Sequence, residues 1–210
     1  PYVHHLSFSL ERSLPGNTVV KAAYVGKLAH NLVRMTQQNP AAYRPGASTV
    51  ANTDQRRILM PGTYASFRLV ETNSNAAYHS LQLLVNRRLS HGITVLGAYT
   101  LGKMLDYYSA MNLGQTPQDP FNHRGDRGHS DEDRRHVLNV SFVYDLPLLR
   151  QQKGALGKAL GGWKLSGMVR LASGGPIHVR SGQDLSLSGV GWDRPDLVGN
   201  AQPIEQLVDI

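Results

Sequence analysis

The chain has no cysteine among its 210 residues. Disulfides and thiolate metal centres are therefore excluded, and redox chemistry assigns no compartment. It also lacks any run of about 18 apolar residues, so no transmembrane helix can be drawn from it. That absence leaves membrane strands open, because a barrel strand alternates apolar with polar residues and averages away in a hydropathy window. Apolar residues make up 40% of the chain, slightly low for a self-sufficient globular core. Catalytic motifs are missing too. Ser173 and Ser181 have no GxSxG context, and no nucleophile, base and orienting group converge, which speaks against an enzyme. The opening, PYVHHL, has neither an initiator Met nor a charged-then-apolar leader, so the chain reads as a piece of something longer.

One sign of charge is in excess, with a net +7. Arg87, Arg88, Arg134, Arg135, Lys153 and Lys158 nevertheless sit in turns or at the ends of alternating runs. With no basic helix and no aromatic-interleaved basic sheet, solvated charge is preferred to nucleic-acid binding.

What the chain does have is period-2 alternation. It is clearest at the end of the stretch 117–146, where Leu138, Val140, Phe142 and Tyr144 fall on one face of a strand. Asn139, Ser141 and Asp145 fall on the other, with Val143 the exception. A long loop rich in Asp, Arg, His and Gly feeds this strand. Earlier, Leu6, Phe8 and Leu10 alternate with polar residues, Leu14-Pro15-Gly16-Asn17 makes a tight turn, and alternation returns from 18 to 27. From 28 to 75 the pattern dissolves among Pro and Gly breakers, with at most a brief strand at 65–70. His79, Leu81, Leu83 and Val85 then oppose Ser80, Gln82 and Asn86. After the turn 88–92, Ile93, Val95, Gly97, Tyr99 and Leu101 form one face as far as Lys103. Trp163, Leu165, Gly167, Val169 and Leu171 alternate with Lys164, Ser166 and Arg170, and 175–210 reads as a loop-like tail.

This predicts six main strands, near 4–12, 17–27, 77–89, 92–104, 134–146 and 162–174, pairing consecutively and antiparallel. Their connections run short, long, short, long, moderate. That rhythm suits an up-and-down membrane barrel, with brief turns at one end and long loops at the other, better than a soluble sandwich. Tyr144 and Trp163 at one end of the apolar faces, with Tyr24 and Tyr99 toward the other, are placed as interfacial aromatic girdles would be. The alternative from another class is a soluble all-β binding module, in which the same rings cap an ordinary core.

The group His123, Asp126, His129, Asp131, Glu132, Asp133 and His136 invites a metal reading. Its spacing matches neither an EF-hand loop nor an HExxH helix, and four arginines interleave with the acids. A salt-bridged loop is the preferred reading, and no metal or other cofactor is assigned.

The segments NAAYHSLQLLVNRRLSHGITVLGAYTLGKML, PQDPFNHRGDRGHSDEDRRHVLNVSFVYDLP, GGWKLSGMVRLASGGPI and RPDLVG, with LPGNTVVKAAYVGK before them, resemble the barrel of TonB-dependent receptors. The likeness is greatest to the large Oar-like kind, which carry an N-terminal carboxypeptidase-regulatory-like domain, and it covers roughly residues 6–199. Leu101 stands where that family often has an aromatic, and Glu132 and Arg134 where the loop-to-strand junction is usually less charged. The resemblance implies a barrel of about twenty-two strands around a plug, in the outer membrane of a Gram-negative-type cell. It implies an unknown imported ligand and energy relayed by the TonB system. No plug, TonB box or regulatory-like domain is found in 1–210, so the chain reads as a partial barrel.

Within such a barrel the alternation assigns faces. Lys21, Ser80, Gln82, Asn86, Thr94, Thr100, Asn139, Ser141, Lys164, Ser166 and Arg170 are the lumen-facing candidates. Leu81, Leu83, Val85, Leu138, Val140, Phe142, Tyr144, Trp163 and Leu165 are the lipid-facing ones. Ligand contacts are expected in the loops 28–75, 104–133 and 175–210.

Overall fold

A computed structural model describes residues 1–90, 92–109, 117–147, 154–196 and 198–199 of the chain. Seven strands form one sheet: β1 (Tyr2–Leu14), β2 (Thr18–Gln37), β3 (Arg68–Ser90), β4 (Ile93–Asp106), β5 (Gly128–His129), β6 (His136–Asp145) and β7 (Lys164–Ala172). The order across the sheet is β1-β2-β3-β4-β6-β7, and the two-residue β5 pairs with β4. Pairing is antiparallel for β1 with β2, β3 with β4, and β6 with both β4 and β7. The path ends at β1 and β7, and no pairing among the described residues joins the two.

The six main strands stand close to their predicted places, with one substantial correction. The region 28–75 is not a patternless loop. β2 runs on to Gln37, and the brief strand expected at 65–70 is the start of β3, so the connection shrinks to 38–67. The reason lies at Asn31, which adopts a left-handed backbone (φ 56) and donates its N–H to Asn75 Oδ1 at 3.3 Å. A left-handed residue within a strand acts as a bulge does and exchanges the faces beyond it. Tyr24 and Leu28 are exposed before it; after it Val33 is exposed while Arg34 and Thr36 are buried. One unbroken strand therefore reads as two out-of-phase halves, and a period-2 search loses it. The first residues of β3 show no apolar alternation because hydrogen bonds hold them. Thr36 Oγ1 donates to Glu71 Oε2 (2.9 Å) and Gln38 Nε2 to Glu71 Oε1 (3.3 Å).

The short turns form as the sequence predicts. Gly16 and Asn17 both take positive φ after Pro15, and Gly92 does so between β3 and β4. His91, within that second turn, lies outside the described residues. The connection predicted as a plain basic, Gly-rich segment at 148–161 contains a short helix, α1 (Gly154–Leu160); 148–153 lie outside the described residues, as do 110–116 of the preceding long loop and 200–210 of the tail.

The chain divides into two compact units. The first, 1–33, 72–109 and 127–176, holds most of the sheet. Glycines apart, its buried residues among those described are Ser74, Ser80, Asp106, Ser130 and Asp133, all polar. The second, 34–71, 110–126 and 177–210, gathers the long connections and the tail. Among the described residues Ala41, in this second unit, is the one buried hydrophobic side chain. Among the described residues neither unit shows an apolar core.

Candidate functional site

Directly opposed residues of antiparallel strands share a face, so the register sorts every side chain of the sheet. One face carries continuous apolar rows. Leu83, Tyr99, Leu138 and Leu171 form one, and Val85, Gly97, Val140 and Val169 the next. Val95, Phe142 and Gly167 follow, a row that Arg87 opens opposite Val95, then Ile93, Tyr144 and Leu165. On the flanking strands β3 and β7, Leu83 is 41% exposed, Val169 45% and Leu171 59%, while Tyr99, Leu138, Val140, Phe142 and Tyr144 are half-buried. The Phe142 ring covers Gly167 so closely that an added Cβ would meet it at 2.9 Å. Trp163 stands one residue ahead of β7 and is 62% exposed. Eight of the nine residues assigned to the lipid therefore share one face by register, and Trp163 adjoins it.

The opposite face carries Ser80 beside Gly102, Gln82 beside Thr100, and Asn86, Leu96, Ser141 and Met168 in one row. Asn139 opposes Arg170; Thr94, Val143 and Ser166 line up; Lys164 opposes Asp145, with Nζ–Oδ1 at 3.3 Å. Lys21 joins them, because Tyr24, on the other side of β2, hydrogen-bonds His79 of the apolar face. All eleven residues assigned to the lumen fall on this one face. It is less uniform than alternation predicts, since Leu84, Leu96 and Met168 share it with Val143.

Register also shows what periodicity could not. Tyr24 Oη lies 2.7 Å from His79 Nδ1, and Tyr99 Oη 2.7 Å from His136 Nδ1. These pairs sit on the apolar face toward the long-connection end, whereas Tyr144 and Trp163 lie toward the other end. Along β6, Tyr144 and His136 are eight residues apart. That is about 26 Å along the strand and roughly 20 Å across a membrane at the tilt barrels adopt, close to the height of a barrel's apolar band.

The second unit is a polar construction. Arg56 is buried and donates to the carbonyls of Ala42 (2.6 Å), Thr49 (3.1 Å) and Leu187 (2.9 Å). Arg57, also buried, donates to the carbonyls of Asn39 (2.9 Å) and Ser188 (3.3 Å). Two guanidinium groups thus stitch 39–57 to the tail through backbone acceptors. Arg194 likewise donates to Gln118 Oε1, Gly125 O and Asp126 Oδ1, each at 2.8 Å. Arg34 differs: it is 1% exposed, yet among the described residues its Nε and Nη2 have no hydrogen-bond partner, and neither has Asp126 Oδ2. Burial pushes the Asp126 carboxyl above its ordinary range despite Arg194. No sequence signal distinguished Arg34 from its neighbours.

The loop expected to be salt-bridged holds the pairs Arg194–Asp126 and His129–Asp133, while its own arginines also reach backbone carbonyls. Arg134 Nη1 donates to the carbonyls of Asp131 and Asp133, and Arg135 Nη1 to that of Gly102. The Asp133 carboxylate holds the Met104 N–H (2.8 Å) and His129 Nδ1 (2.6 Å). His123 Nε2 meets Pro120 O, and His136 meets Tyr99. Among the described residues no three of these groups converge on a common point.

An antiparallel up-and-down sheet with one largely apolar, solvent-accessible face, an opposite face rich in polar residues and buried groups that are almost all polar suits a membrane-spanning β-barrel wall. The family model for the outer membrane beta barrel domain matches residues 1–207, and the chain belongs to that family. Its place is the outer membrane. No curated protein and no solved structure matches the chain.

Proposed function

We propose that the chain is barrel wall and outer loops of a TonB-dependent receptor that binds a ligand at the cell surface and imports it. The observation that carries the membrane half of this reading is the inverted burial, with Leu83, Val85 and Leu171 bare while Arg34, Ser80 and Asp133 are buried. A soluble all-β binding module would bury the first set, because each such side chain gains about 1.5–3 kcal/mol on leaving water. In this reading the nine apolar candidates face lipid and the eleven polar ones line the lumen. The six long strands among the described residues are fewer than the eight of the smallest barrels, so in this reading they are part of a larger wall.

Ligand binding is assigned to the second unit, where Arg34 offers two buried, unpaired donors. A buried polar group without a partner costs about 1–3 kcal/mol, which an arriving acceptor would recover. The TonB system supplies the energy through a plug, and the resemblance to Oar-like receptors supports that assignment.

The test uses the full-length gene product in the outer membranes of otherwise matched cells with and without TonB. Depletion of solutes from a defined medium is compared between them. A solute consumed only when both proteins are present supports uptake; equal depletion in the two strains refutes TonB dependence. Protease added to intact cells should cut within 38–67 if that connection lies outside, and failure to cut any long connection would refute the orientation.

A further inference from the structure

We propose that the long-connection rim of the apolar face is a binding site for phosphorylated lipid headgroups, formed by the Tyr24–His79 and Tyr99–His136 pairs with Lys103. The inference rests on the membrane reading above and extends it from apolar contact to recognition of a particular headgroup chemistry.

The two pairs are near copies of one another. In each, the phenol oxygen lies 2.7 Å from His Nδ1. The rings stack with centroids 6.2 Å apart at 25° in the first and 6.1 Å apart at 26° in the second. One bridges β2 and β3, the other β4 and β6, and Lys103 stands directly opposite His79 on β4. The three groups thus occur on four adjacent strands, within about 15 Å across the sheet. His79, His136 and Lys103 are all exposed.

Their surroundings make the arrangement unusual. Leu81, Leu101 and Leu138 lie immediately toward the middle of the same face, so these polar groups stand where apolar surface ends. Imidazole and ammonium groups are costly in hydrocarbon but well placed at headgroup depth. Each hydrogen bond fixes a ring and leaves one donor over. If the phenol donates, His Nε2–H is free to point outward; if Nδ1–H donates, the phenol O–H is free. Either way the rim presents a fixed donor per pair, and Lys103 adds a charge. Phosphate, with several acceptor oxygens and full negative charge, is the headgroup component that complements this set. An interfacial aromatic belt alone requires neither the imidazoles nor the lysine.

The test compares the full-length gene product with its H79Q/H136Q/K103Q variant, both refolded into phosphatidylcholine vesicles containing phosphatidic acid. Lipid retained after extraction is counted by native mass spectrometry. The wild type should retain phosphatidic acid about tenfold over phosphatidylcholine, the effect of one or two charge-assisted hydrogen bonds, and the variant should lose that preference. The Y24F/Y99F variant, which keeps rings, imidazoles and lysine but frees the imidazoles to turn, should fall between. Equal preference in wild type and triple variant would overturn the site, as would competition by inorganic phosphate at the same concentration, which would mean a free-anion site. Insertion without any lipid preference overturns this site alone. Failure to insert into either kind of vesicle overturns the membrane reading and the site together.

Discussion

Substituting arginine along β6 tests the two faces and their depth in one series. Tyr144 and His136 mark the ends of the apolar row on this strand, so Val140, four residues from each, lies at mid-depth. Phe142 is only two residues from the Tyr144 rim. In the register Val140 stands between Gly97 and Val169, and Phe142 between Val95 and Gly167. An arginine on the lipid face costs about 2–4 kcal/mol at the midplane and about 0–1 near the interfaces. Val140→Arg should therefore cost about 2–4 kcal/mol. Phe142→Arg should cost less for its charge, plus the lost contact of the ring with Gly167. Ser141→Arg, on the opposite face between Leu96 and Met168, should be near neutral where the lumen has room. The assay is urea unfolding of the full-length protein refolded into phosphatidylcholine vesicles, followed by tryptophan fluorescence. Equal costs at 140 and 141 would mean a strand buried on both faces, as in a sandwich. A larger cost at 141 would mean that the faces are inverted. A cost at 142 well above that at 140 would refute the depth assignment.

Gly167→Ala should destabilise by about 1–3 kcal/mol through overpacking against Phe142, and Phe142→Leu should relieve part of it; a double-mutant cycle without coupling would refute that contact. Asp126 has a folded-state pKa raised above its ordinary 3.8, chiefly by burial. Its contribution is thus fully present below pH 3.8 and lost as pH rises through the folded value. Asp126→Asn, which keeps an oxygen for Arg194, should flatten this loss, read as hydrogen exchange of 118–126 against pH; an unchanged profile would refute the burial argument. Arg34→Met should leave stability unchanged or higher, since Asp126 keeps Arg194, while abolishing uptake; a variant that imports normally would remove Arg34 from the ligand site. Expressed alone, the 210 residues should require detergent or collect in inclusion bodies, because β1 and β7 are unpaired edges; a soluble, monodisperse, cooperatively melting monomer would refute the membrane reading.

Alternation by itself determined which residues of 79–85, 93–101, 138–144 and 164–171 share a side, because successive strand side chains must point oppositely. Pro15-Gly16-Asn17 and Gly92 likewise placed the two tight turns, since few residues other than Gly and Asn accept positive φ cheaply. Beyond Asn31 that legibility ended. One left-handed residue exchanged the faces of β2, and the hydrogen bonds of Glu71 and Asn75 extended a strand that has no apolar pattern. Tertiary structure alone decided that Tyr24 meets His79 and Tyr99 meets His136, residues 55 and 37 positions apart. It alone buried Arg34 with unpaired donors while giving Arg56 and Arg57 backbone carbonyls. Periodicity records which side of a strand a residue occupies, whereas register and burial depend on neighbours that no local pattern contains.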